Sequence, residues 1–232
     1  MSARLNRVIA ALIVCGSILA PATAAHAELA LSQLVVELTP GDHGRSDIEI
    51  SNNDPERAYV SAEPREVVNP GTPSESRKVD PDPEKLGLLV SPSRMILDPG
   101  QRRLLRIAAI TPAGDRERVY RVTVKPVVGE LSAPGSGLKV LVGYDVLVLV
   151  RPRVFNPHVS GSRTGNILTL RNDGNVSVEL VDGKRCNGAG SACSDLPGAR
   201  LYVGAEKRID AKPGDRVQYK LKIGARLIPV QF

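Results

Sequence analysis

The chain has 232 residues, with 31 Lys and Arg against 25 Asp and Glu, a formal charge of +6, no Trp, two Phe and five Tyr. So mild a basic surplus favours acidic partners or surfaces without being a nucleic-acid footprint, and so few aromatic rings exclude a base-stacking platform. The length suits one large domain or two modest ones.

Arg4 and Arg7 precede an apolar run from Val8 to Ala20, and Ala25-His26-Ala27 ends the stretch with small residues where a signal peptidase wants them. Residues 1–27 are therefore expected to be a secretory signal peptide. A membrane anchor fits less well, because Pro21 and the small residues end the run early. A lipoprotein at Cys15 would need a small residue where Val14 stands. Removal of Arg4 and Arg7 with the leader lowers the charge from +6 to +4.

Helical patterning is nearly absent beyond it. Apolar residues recur with period two or in short runs, and Gly and Pro interrupt them every ten residues or so, as in an all-β sandwich. The expected strands are Leu29–Leu38, Ser46–Ser51, Ala58–Val67, Leu88–Ser91, Arg102–Ala109, Arg118–Val127 and Lys139–Arg151. Asn69–Glu84 reads as a polar, Pro-rich loop. After a short linker around Arg153–Pro157, further strands are expected at Ile167–Arg171, Val176–Val181, Leu201–Val203, Glu206–Ile209 and Arg216–Ile223. This gives two β-sandwich domains, 28–152 and 153–232. Cys186 and Cys193 lie close together in an exported chain, so a local disulfide is expected, contributing roughly 2–3 kcal/mol. A metal or redox site fits less well, since the spacing is C-x6-C with no histidine nearby.

The motif "LLVSPSRMILDPGQRRLLRI" (Leu88–Ile107) runs from a strand through Ser91-Pro92 to a second strand, a Pro99-Gly100 turn and a third strand ending Leu105-Arg106-Ile107. Proline fixes φ in that turn and glycine is free to take positive φ. With "DIEISNND" (Asp47–Asp54), "RERVYRVTVKPV" (Arg116–Val127) and the exit Arg151-Pro152, the order resembles that of the periplasmic pilus-assembly chaperones of the PapD-like family. The resemblance covers nearly all of the first domain and rests on length and strand pattern in the second. It implies two immunoglobulin-like sandwiches in an L-shaped arrangement, no enzymatic activity and no cofactor. The implied partners are pilus subunits that lack a strand and an outer-membrane usher that receives them.

"LKVLVGYDVLVLVRPR" (Leu138–Arg153) is too short to span a bilayer, which takes roughly 20 apolar residues, and too apolar for a half-buried strand. One reading is a central strand buried on both faces of a self-contained sandwich. The other, which the resemblance implies, is a strand lent to a foreign core by β-augmentation. Leu138, Val140, Val142, Tyr144 and Val146 then present the lent face at period two, while Leu141, Leu147 and Leu149 serve the protein's own core. Three aliphatic side chains so buried contribute on the order of 5–8 kcal/mol, gross. Such an edge is also an aggregation hazard, and self-association through it is a further partner the pattern allows. Lys139 and Asp145 are placed to act as gatekeepers.

The resemblance also implies two basic residues that hold the subunit's terminal carboxylate. Their places, on the first strand and four residues before Arg151, fall on Val36 and Leu147. Arg121 and Arg151 are the first candidates to replace them, as guanidinium groups bind carboxylates through two parallel hydrogen bonds. Lys125, Arg102, Arg103 and Arg153 are further candidates. Glu117 and Arg151 match the carboxylate and arginine of an inter-domain ion pair. The third, acidic member of that bridge is missing, because "KIGARL" (Lys222–Leu227) stands in its place and holds no acid.

Two other functions fit parts of the sequence. An exported two-domain adhesive or structural module suits the fold but leaves the doubly apolar strand unexplained. An enzyme is disfavoured: beyond the leader only His43 and His158 remain, in different domains, and no nucleophile, metal or phosphate motif accompanies them.

Overall fold

The computed structural model describes residues 29–127 and 142–232. The expected signal peptide and the strand positions Leu138, Lys139, Val140 and Leu141 lie outside them. The strands are, in chain order, β1 (Leu29–Leu31), β2 (Val35–Leu38), β3 (Arg45–Asn52), β4 (Ala58–Val68), β5 (Ser76–Lys78), β6 (Leu88–Ser91), β7 (Arg94–Leu97), β8 (Arg102–Ala109), β9 (Arg118–Pro126) and β10 (Tyr144–Val150). There follow β11 (Val159–Thr164), β12 (Ile167–Asn172), β13 (Val178–Cys186), β14 (Cys193–Leu196), β15 (Ala199–Leu201), β16 (Glu206–Asp210), β17 (Arg216–Ile223) and β18 (Arg226–Gln231).

The strands form four sheets and two sandwiches. In the first, a β1-β3-β8-β6 sheet faces a β2-β10-β9-β4-β5 sheet, with β7 also paired to β4. In the second, β11-β12-β16 faces β14-β13-β17-β18, with β15 on β13. Period-two burial builds both cores. Ile48 and Ile50 of β3, Leu105 and Ile107 of β8, and Val60 and Ala62 of β4 fill the first, with Tyr120, Val122 and Val124 of β9. Leu168 and Leu170 of β12, Val178 and Leu180 of β13, and Val217, Tyr219, Leu221 and Ile223 of β17 fill the second.

The expected first strand, Leu29–Leu38, is two strands in different sheets. β1 pairs antiparallel with β3, and β2 pairs parallel with β10. Ser32 makes the break: its N–H donates to the Glu49 carbonyl at 2.9 Å and its Oγ accepts the Glu49 N–H at 2.9 Å. These local bonds end the β1 ladder and free the chain to cross to the other sheet.

Four strands, β5, β11, β14 and β18, lie outside the expected set, all at sheet edges or in pairings with one neighbour. The short helix α1 (Pro83–Leu86) closes the expected polar loop. Its start carries the usual chemistry, with Asp82 accepting the Glu84 N–H and proline in the first turn. Gly87 ends it at φ 84°, where a Cβ would come within 2.5 Å of the Arg118 guanidinium.

Each sandwich is pinned by a buried asparagine. The Asn52 amide donates to the carbonyls of Glu56 (2.7 Å) and Leu97 (3.1 Å), and Asn172 does the same to Val176 and Leu201, both at 2.9 Å. These bonds satisfy the amide donors of the two buried asparagines. Cys186 and Cys193 are joined as a disulfide across the β13–β14 pairing.

Candidate functional site

The site is built on β10, which lies between β2 and β9. Its even-numbered side chains point into the first sandwich, where Val146, Val148 and Val150 belong to the core. Its odd-numbered ones point the other way: Leu147 and Leu149 pack with Val67, Val119 and Tyr202 of the second sandwich. This corrects the expectation that Leu147 and Leu149 serve the protein's own sandwich core. The β1-β3-β8-β6 sheet covers the even face, and Tyr202 covers the odd one.

The even-numbered positions change their surroundings toward the start of the strand. Val146 is 0% exposed, which removes it from the lent set. Tyr144 is half-buried, with its hydroxyl donating to the Leu29 carbonyl at 2.6 Å. Val142 is 57% exposed. Burial is thus complete at Val146, partial at Tyr144 where the strand begins, and lost at Val142, two residues before it.

Among the described residues, the backbone edge opens at the start of the same strand. β9 pairs with β10 from Tyr144 onward, but the register with β2 begins only at Leu147. Tyr144–Val146 are hydrogen-bonded on one side to β9, and β2 does not extend alongside them.

Charged side chains gather on the odd face, above the apolar cluster. The Asp145 carboxylate accepts from the Arg77 guanidinium at 2.7 and 3.4 Å and from the Thr123 hydroxyl at 3.1 Å. Arg121 donates to the Asp145 backbone carbonyl at 3.1 Å. Lys125 and Arg65 both lie against Glu63, at 3.0 and 3.3 Å. Arg121 and Lys125 thus share this face, as their two-residue-periodic spacing predicts. Arg102 is on the opposite layer, in β8 of the other sheet, and pairs with Glu49 at 3.2 Å. Arg103 lies on that same strand, so both are removed from the candidates.

Arg151 is also removed as an anchor, because its donors are used. It is 1% exposed. Its Nε and one terminal nitrogen hold Glu37 at 3.2 and 2.7 Å. The other terminal nitrogen holds Glu117 and reaches the Ser177 carbonyl at 3.2 Å. Ser177 returns its N–H to Glu117 at 3.2 Å, which ties the second sandwich to the first. A guanidinium spent on two carboxylates has no fork left for a third. The second acid of this cluster, Glu37, is the functional residue that sequence reasoning missed. Its signal was an acid amid the apolar run Val35–Leu38. Its carboxylate is 3.9 Å from where a Gly224 Cβ would be, so the acid-free turn of "KIGARL" abuts an acid supplied by β2.

The first-strand anchor place also reads differently in three dimensions. Val36 is 1% exposed in the first core and opposite Val148. The residues of β2 opposite Leu147 and Leu149 are Val35 and Glu37. Neither is basic, and Leu147, at 4% exposure, closes the other place with a hydrocarbon side chain.

Comparison with known proteins agrees with this architecture. The model of the family described as pili and flagellar-assembly chaperone, PapD N-terminal domain, matches residues 29–156, more than half of the chain. A CS1 fimbrial subunit of Escherichia coli is 27% identical over 146 residues, covering 60% of this chain and 61% of that protein. The chain thus spans about three-fifths of that relative's length. Among solved structures, the class 5 fimbriae chaperone CfaA superposes with a TM-score of 0.63 at 22% identity, covering 88% of this chain and 98% of that one. A structure of the Salmonella enterica SafA pilin in complex with the SafB chaperone gives 0.58 at 18% identity, with coverages of 90% and 97%. At these identities the structural matches show the fold alone.

Proposed function

This chain belongs to the pili and flagellar-assembly chaperone family, and from that premise we propose that it is a periplasmic chaperone that lends part of its last first-domain strand to fimbrial subunits and passes them to an outer-membrane usher. The single observation that carries this reading is the start of β10: Val146 is buried on its even face, Val142, two residues before the strand, is exposed, and β2 pairs only from Leu147 onward. In the sequence, Leu138, Val140 and Val142 keep the period of two, and were the strand extended through them, an incoming subunit that lacks a strand would find both an edge to pair with and side chains to fill its core. Arg121 remains the candidate anchor for the subunit's terminal carboxylate, with Lys125 beside it. Export by the signal peptide would bring the protein to the compartment where such subunits fold, and the reaction needs no cofactor.

The test is co-expression in a periplasm beside pilin-like subunits, followed by purification of this chain. The reading expects a subunit to co-purify and to be lost with Val140→Asp while the chaperone stays folded. If no subunit is captured, or Val140→Asp unfolds the chain, the strand is its own core and the exported adhesive or structural module takes its place.

A further inference from the structure

The open edge of β10 carries a cap. Leu147 and Arg151 donate their N–H groups to the carbonyls of Leu34 and Leu38, each at 2.9 Å. Odd-numbered peptide groups of this strand therefore turn toward the β2 edge, and the two-residue period turns Asp145 the same way. The register with β2 begins at Leu147, and the chain before it is drawn off to Glu49 at Ser32. The Asp145 carbonyl is thus the first acceptor past the end of β2, at the point where an added strand would meet the edge.

That acceptor is taken by a side chain. Arg121, opposite Leu147 on β9, reaches over β10 and donates to the Asp145 carbonyl at 3.1 Å. Its Nε also lies 3.9 Å from the Asp145 carboxylate. That carboxylate is held in turn by Arg77 at 2.7 Å and Thr123 at 3.1 Å. Each contact is partly solvated, so each is individually weak and screened by salt. A charged side chain laid across an edge acceptor is a known kind of defence against adventitious strand pairing.

We propose that Arg121 is a removable gate on the docking edge of β10, set by Asp145, so that an extended strand from a partner pairs there only by displacing the guanidinium. The proposal rests on the strand-lending reading and adds a control to it. It makes edge addition dependent on ionic strength, and it gives the isolated protein a reason not to pair through an apolar strand.

The test uses a C-terminally amidated peptide with the sequence of Val140–Val148, which offers an extended apolar strand and no terminal carboxylate. Its binding to the full chain is compared for wild type, Arg121→Gln and Asp145→Asn at low and high salt, with thermal midpoints confirming the fold of each. The gate predicts roughly fivefold tighter binding by Arg121→Gln at low salt. It also predicts a smaller gain for Asp145→Asn, and affinity that rises with salt in wild type but not in Arg121→Gln. Equal binding by wild type and folded Arg121→Gln, with equal salt dependence, overturns the gate and leaves strand addition standing. Absence of binding by every variant overturns edge addition and the gate with it.

Discussion

Glu37 of β2 and Glu117, just before β9, hold one guanidinium between them, that of Arg151, and Ser177 of the second sandwich closes the cluster. Removing one partner of a buried ion pair strands the rest, at about 3–5 kcal/mol. Arg151→Ala is expected to lower stability by that order in chemical denaturation and to uncouple the unfolding of the two sandwiches. Glu37→Gln, at the more solvated side of the cluster, is expected to cost about 1 kcal/mol. A loss below about 1 kcal/mol for Arg151→Ala would show that the cluster is not what joins them.

Leu147 stands where the resemblance puts a basic residue, yet its side chain is packed against Val67, Val119, Leu149 and Tyr202. Leu147→Lys is expected to destabilise the protein by about 2–4 kcal/mol, through the lost apolar contacts and the buried charge. The denaturation midpoint measures it. A neutral outcome would mean that the ammonium finds water in the cleft and that the apolar cluster opens readily.

Tyr120 gives the fold an alkaline limit. It is fully buried and donates its hydroxyl to the Leu86 carbonyl at 3.0 Å, and burial pushes its phenol up to about 12. Between the ordinary tyrosine value near 10 and this one, the unfolded chain has lost the proton that the folded chain keeps. Stability from this group is therefore complete below pH ~10 and falls as pH rises toward ~12, by about 2–3 kcal/mol at most. Tyr120→Phe is expected to flatten that part of the stability–pH profile, and an unchanged slope would assign the loss to other groups.

Much of the fold was legible because period-two burial is strong where a strand lies over a core. β6, β8 and β17 have the expected limits, and β3, β4, β9 and β16 are within one residue of them. Edge strands were not legible: β5 and β14 carry polar, exposed side chains, which the pattern of alternating burial cannot mark. The sheet switch at Ser32 was hidden because two bonds from one serine, not a glycine or proline, make it. At the site, the period gave the two faces of β10 but not which core each would meet, since both faces are apolar and only the second sandwich decides it. Glu37 was passed over for a related reason. Nothing local to an acid in an apolar strand tells which arginine, more than a hundred residues on, it will hold.

Under the proposed function, the even-numbered positions serve two cores in succession, the protein's own at Val146 and a partner's from Val142 outward. The most direct measurement is subunit capture in a periplasm by Val142→Asp, with Val146→Asp beside it and thermal unfolding of both. Val142→Asp, at an exposed position, is expected to keep its wild-type unfolding midpoint and lose the subunit, while Val146→Asp, which buries an unpaired carboxylate, is expected to fail to fold. Capture of the subunit at wild-type level by a folded Val142→Asp protein would contradict it.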